Sequence, residues 1–201
     1  MTDRTRERVQ ALSPPARGNK LPVATLGVLA ITGLVTGLQF IFPQLLFWLE
    51  RTPSAFAQHQ WWRLITPLFV HSGGWRQIAF NFPAILIVGI VAERVWGSGR
   101  WLILYFACGL IGEIAGYAWQ PLGAGASVAG AGLLGSLAIW LLYKGKVAQA
   151  YFGGAVILIG AVILVFFRDI HGPPILAGAC IGFAMFKAGA NEPERPTIVT
   201  R

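Results

Sequence analysis

The chain has 201 residues, of which 55% are hydrophobic and only 12% charged, with a mean hydropathy of +0.62. Soluble domains carry about 25% charged residues, so this composition excludes an ordinary globular protein and points to a polytopic membrane protein. The net charge of +8 does not signal a nucleic-acid partner, because the basic residues sit between apolar segments rather than along one amphipathic face.

Residues 1–20 are polar and basic and are broken by Pro14, Pro15 and Gly18, which predicts a disordered cytoplasmic tail. Residues 21–42 then run apolar for longer than the ~7–15 residues of a signal-peptide core, so they read as a retained first span. Residues 43–75 form a long polar-aromatic loop in which Phe47, Trp48, Trp61 and Trp62 accompany Arg51 and Arg63, a composition suited to the headgroup region. His59 in this loop reads as solvated. A second span covers residues 77–92, bent at Pro83, and residues 93–100 read as a tight turn. Further spans follow at 101–119, 127–143, 147–167 and 172–186, the last opening on Pro173 and Pro174, which suit a first helical turn. Residues 187–201 are polar, contain two prolines and read as a second disordered tail.

Orientation follows from Lys and Arg. With the N-terminus inside, the outer segments hold Arg51, Arg63, Arg76 and Arg168, and the other twelve of the sixteen basic residues fall inside. Both termini are therefore expected in the cytoplasm, around an all-α domain of six spans over residues 21–186. The expected location is the plasma (inner) membrane. Cys108 and Cys180 lie in apolar segments and read as buried free thiols, and no His, Cys or carboxylate spacing suggests a metal site.

Three spans running outside to inside bring polar residues to one level. Gln77 and Asn81 open the second, Ser127 the fourth and His171 the sixth. Polar groups at bilayer depth are costly, so their coincidence suggests chemistry. Ser127 lies in G-A-S-V-A-G-A-G-L-L-G, whose small residues admit a close neighbour, and on a helix His171 shares a stripe with Gly178 and Gly182. A hydroxyl becomes a nucleophile when an imidazole takes its proton, and the resulting oxyanion needs donors such as backbone N–H groups or the Gln77 and Asn81 amides. The competing reading makes Ser127 a helix cap and His171 an interfacial polar residue. Glu113, in the third span, either orients His171 or pairs with an arginine or the backbone. Asp169 reads as a loop or cap residue, and Gly112 with Gly116 as a packing notch.

These segments resemble the rhomboid family of intramembrane serine proteases over residues 60–186. Q-W-W-R-L-I-T-P-L-F-V-H-S-G-G-W is similar to the family's first loop, and E-R-V-W-G-S-G-R to its turn after the second span. G-A-S-V-A-G-A-G-L-L-G resembles the nucleophile motif, and H-G-P-P-I-L-A-G-A-C-I-G the motif of the last span. The resemblance implies a six-helix rhomboid-like bundle with Ser127 as nucleophile and His171 as general base. It also implies Gln77, Asn81 and Gly125 on the oxyanion side, no cofactor, and partners that are membrane lipids and transmembrane protein substrates. His71 is similar to an outer-loop histidine of the family and stands with Glu113 as a possible auxiliary residue. The chain departs from the family at Val128 after the serine, at Ala131 where an aromatic is usual, at Gln77 where a histidine is usual, and at Pro174 where a glycine is usual. A non-catalytic rhomboid-like protein that binds transmembrane helices is the alternative these departures raise. A transporter or channel fits less well, because the spans lack charged residues along a central path.

Overall fold

The computed structural model describes residues 21–189, and residues 1–20 and 190–201, which carry the expected tails, lie outside the described residues. The chain forms helices α1 (Val23–Ile41), α2 (Gln44–Leu49), α3 (Pro53–Ala57), α4 (Gly74–Trp96), α5 (Ser98–Trp119), α6 (Ser127–Lys144), α7 (Ala148–Phe166) and α8 (Gly172–Lys187). Two 3₁₀ turns, Trp61–Leu64 and Thr66–Phe69, lead into α4. Among the described residues there is no strand, only an isolated bridge between Arg51 and Gly123.

Five helices, α1 and α4 to α7, are long and apolar enough to cross a bilayer. The sixth long helix, α8, has 16 residues and spans about 24 Å, somewhat short of a ~30 Å hydrocarbon core. Two expected boundaries differ. Residues 43–75 are not a plain loop, since α2, α3 and both 3₁₀ turns lie within them and α4 already begins at Gly74. The expected turn at 93–100 contracts to one residue, Gly97, whose φ of +80° lets α4 end and α5 begin without a connecting segment.

Burial follows composition. Half of the spanning window of α6 is buried, and at 1.3 it has the lowest mean hydropathy of the five. The corresponding values for α7 are 17% and 2.2. The two helices hold similar shares of glycine and alanine; the difference is that α6 also carries Ser127, Ser136 and Lys144, whereas α7 runs through Val, Ile and Leu, which suit lipid neighbours.

Contacts between α6 and α8 leave no room for a side chain. A Cβ on Gly178 would overlap the Gly132 carbonyl, and one on Gly135 would overlap the Ile175 carbonyl. Farther along, a Cβ on Gly182 would lie 3.1 Å from Ser136 Cα. At the end of the bundle remote from Ser127, Glu93 of α4 caps α1. One carboxylate oxygen accepts from Ala24 N (2.9 Å) and Ser98 Oγ (2.7 Å), the other from Thr25 N (2.8 Å) and Thr25 Oγ1 (2.7 Å). These are first-turn N–H groups, which have no partner within the helix and lie at its positive end. Cys108 is buried as expected, whereas Cys180 is exposed on the outside of α8.

Gly178→Ala is expected to destabilise the protein by about 3 kcal/mol or more, because the obstacle is backbone rather than a movable side chain. Gly27→Ala, where nothing lies within 4 Å, is expected to be neutral or slightly stabilising. Thermal unfolding in detergent compares the two.

Candidate active site

The α6–α8 contact brings Ser127 to the same end of the bundle as His171. Ser127 is the first residue of α6 and His171 caps α8, so each side chain leaves its helix where the chain turns. Ser127 Oγ lies 2.9 Å from His171 Nε2. On the other side of the ring, His171 Nδ1 lies 2.7 Å from Asp169 Oδ1, which also accepts from the His171 backbone N–H at 2.8 Å. Burial raises the Asp169 carboxyl, but these bonds from His171 outweigh it and hold the group below the usual carboxylate range. Asp169 thus makes the local backbone bond expected from its position and, in addition, contacts the ring.

A cavity of about 210 Å³ opens beside the pair, lined by Ser127, His171, Ser72, Gln77, Gly125 and the Arg51–Glu113 pair among others. That volume holds several waters. Gln77, in the first turns of α4, links two segments here. Its Oε1 accepts from Gly73 N at 2.8 Å and its Nε2 donates to Ala124 O at 2.9 Å. Gln77 is therefore tied to backbone at both ends of its carboxamide, and these two bonds use one of its two Nε2 hydrogens. Gly125 is required by this arrangement, since a Cβ there would overlap Gln77 Nε2. One turn along α4, Asn81 is 4% exposed and its Nδ2 has no hydrogen-bond partner. That amide lies 3.6 Å from where a Gly125 Cβ would be, so a buried donor without an acceptor stands beside Gly125. The first turn of α6 adds N–H groups that have no intrahelical acceptor. The Val128 side chain is buried against α5, where a Gly112 Cβ would come within 2.6 Å of Val128 Cβ, and the residue also lines the cavity beside Ser127.

Glu113 does not touch His171. It pairs with Arg51 Nη1, and the same guanidinium donates through Nε and Nη2 to Gln120 O at 3.1 and 2.8 Å. Both side chains are almost wholly buried, and Gly116 makes the slot, because a Cβ there would overlap the guanidinium. Sequence reading places Arg51 among the interfacial arginines. The usable signal is Glu113 itself, a carboxylate on an apolar span that requires a cation, with Gly116 one turn on. Arg63 likewise donates inward, through Nη1 to Phe47 O and Glu50 O, both at 2.7 Å.

His71 is turned towards α1, not towards the Ser127–His171 pair. Its Nδ1 lies 3.1 Å from Thr36 Oγ1, and its backbone exchanges two 2.9 Å hydrogen bonds with the Gln39 amide. It ties the loop ahead of α4 to the end of α1. Among the described residues no cluster of His, Cys, Asp and Glu has a metal-binding arrangement.

Comparison with known proteins adds a second line of observation. A family model described as the Rhomboid domain matches residues 58–189. The chain is 42% identical over 107 residues to the rhomboid protease GluP of Bacillus subtilis, an alignment covering 53% of this chain and 21% of that protein. It is 32% identical over 145 residues to the rhomboid-family protein YdcA of the same organism, covering 69% of this chain and 72% of that one. It is also 33% identical over 60 residues to the rhomboid protease AarA of Providencia stuartii, covering 30% and 21%. The chain therefore spans about a fifth of GluP and AarA and most of YdcA.

The placement of His71 has a pH consequence. Burial pushes its imidazole from the ordinary value near 6.5 down to about 4. The unfolded chain thus takes up a proton at this residue between those values while the folded chain does not, and stability falls as pH drops through that window. The loss is on the order of 3 kcal/mol by pH 4. His71→Gln is expected to flatten this fall, as read from unfolding midpoints in detergent between pH 7 and 4.

Proposed function

Because the chain belongs to the rhomboid family, we propose that it is an intramembrane serine endopeptidase in which Ser127 is the nucleophile and His171 the general base. The observation that carries this reading is the 2.9 Å approach of Ser127 Oγ to His171 Nε2 from two different helices. At that distance the imidazole takes the hydroxyl proton as Oγ attacks the scissile carbonyl, then delivers it to the leaving amine. Water from the adjacent cavity hydrolyses the acyl-enzyme by the same route in reverse. The tetrahedral oxyanion is held by N–H groups of the first turn of α6 and by the unpartnered Asn81 amide. Gln77 and Gly125 serve as supports, because the Gln77–Ala124 bond fixes the loop that leads into Ser127.

The substrates are membrane-anchored proteins cut near the outer face of the plasma membrane. The dyad lies at the end of the bundle that the distribution of basic residues assigns to the outside, with both termini cytoplasmic. The membrane domain is taken as residues 21–186, between two polar tails.

The test uses the full chain in proteoliposomes with a fluorogenic single-span substrate and a fluorophosphonate probe. Ser127→Ala and His171→Ala are each expected to lower kcat by about 10³-fold or more, and the double variant to be no worse than either, because the two side chains act as one unit. Ser127→Ala also loses probe labelling. A folded wild-type protein that neither labels nor cleaves would instead be a binder of transmembrane helices.

A further inference from the structure

We propose that Asp169 is a positioning residue for His171, so that the site works as a Ser127–His171–Asp169 array rather than as an unsupported pair. The inference rests on the dyad reading for its catalytic meaning, but its geometry stands by itself. A single oxygen, Asp169 Oδ1, lies 2.8 Å from the His171 backbone N–H and 2.7 Å from ring Nδ1. A carboxylate only accepts, so the ring nitrogen facing it carries the hydrogen. That choice leaves Nε2 bare, and Nε2 is the atom 2.9 Å from Ser127 Oγ. The bond at Nδ1 therefore selects the one neutral tautomer that can receive the serine proton.

The carboxylate stands on a fixed backbone. Asp169 N donates to Leu164 O at 2.8 Å, and Asp169 O accepts from Gly172 N at 3.2 Å. The preceding residue, Arg168, adopts a φ of +55°, a left-handed conformation uncommon outside glycine, and this turns the chain from the end of α7 towards α8. Asp169 is thus locked between two helices with its side chain folded back onto the residue two places on. Residue 131, one turn along α6 from Ser127, is alanine and offers no ring to stack.

The bonds to backbone alone describe an Asx turn, a purely local structure. Asparagine separates the two roles, because its Oδ1 can keep the turn while its Nδ2 can donate to the ring and favour the opposite tautomer. In enzymes whose triad aspartate is buried, that exchange costs about 10⁴-fold. Asp169 is about one-third exposed, so solvent shares its work and the loss is smaller.

The experiment compares wild type, Asp169→Asn, Asp169→Ala and Asp169→Glu as full chains in proteoliposomes, with active sites counted by fluorophosphonate labelling. Asp169→Asn is expected to lower kcat about 10- to 100-fold while KM and the unfolding midpoint stay unchanged, and Asp169→Glu to recover part of the loss. A second readout does not depend on activity. The chain has three histidines, so ¹⁵N-histidine labelling with assignment by His171→Ala gives the tautomer of His171 directly. Wild type is expected to carry the proton on Nδ1, and Asp169→Asn to shift it to Nε2. An unchanged kcat in both the Asn and Ala variants, or a fall that tracks a loss of thermal stability, would overturn the proposal. Should the wild type prove inactive, a proton on Nδ1 that moves in Asp169→Asn upholds the positioning, and a proton on Nε2 in wild type refutes it.

Discussion

Everything at the Ser127 end of the molecule depends on backbone-to-backbone contact between α6 and α8. Carbonyls of each helix fill the space where side chains of the other would be, Gly132 O against Gly178 and Ile175 O against Gly135. In lipid there is no hydrophobic gain in bringing two apolar helices together, so association relies on close packing and on hydrogen bonds. Glycine provides the first, at the cost of helix propensity, and the membrane environment tolerates that cost. The short separation matters for chemistry as well as for stability. A serine side chain has little reach, and an imidazole adds only one ring, so the two meet only when their helix axes are unusually near.

Polar devices hold the remaining parts in place. The Arg51 guanidinium satisfies Glu113 and Gln120 O together, and Glu93 takes four donors. Such groups are expensive in a bilayer unless they are answered, which explains why Glu113 faces a guanidinium and Glu93 sits opposite several N–H and O–H groups. Asn81 is the contrast, since its amide is buried and unanswered close to Ser127. An unsatisfied donor at that position is tolerable if it is answered when substrate is bound.

The spans were legible because apolar length and basic flanks are local signals. Predicted and observed ends of the long helices differ by a few residues, and the main discrepancy, Gly97 in place of a turn over 93–100, arises because one left-handed glycine needs no loop. The nearness of Ser127 and His171 was legible for another reason: polar residues and glycine stripes on two separate segments share one level. What stayed hidden are partners chosen in three dimensions. Nothing in the sequence selects Arg51 from the outer arginines as the mate of Glu113, and nothing directs His71 to Thr36 on α1. Asp169 was visible as a loop or cap residue, and it does accept from the His171 backbone N–H; its contact with the ring was not visible. Its ring contact depends on the turn made by Arg168, which no pattern announces.

Helix α1 is gripped at both extremities. Glu93 holds Ala24 and Thr25 at one, and at the other Thr36 and Gln39 bind Phe69 and His71. Sliding it along its axis would break bonds that hydrocarbon has no water to replace. The next residue after His71, Ser72, is bonded to both the N–H and the carbonyl of Ala124, three residues before Ser127. The distance from the Glu93 level to the Ser127 hydroxyl is thus set by the length of a helix and not by the lipid around it. The fold carries its own ruler, and a bilayer that thins or thickens must adjust to the depth of the serine rather than alter it.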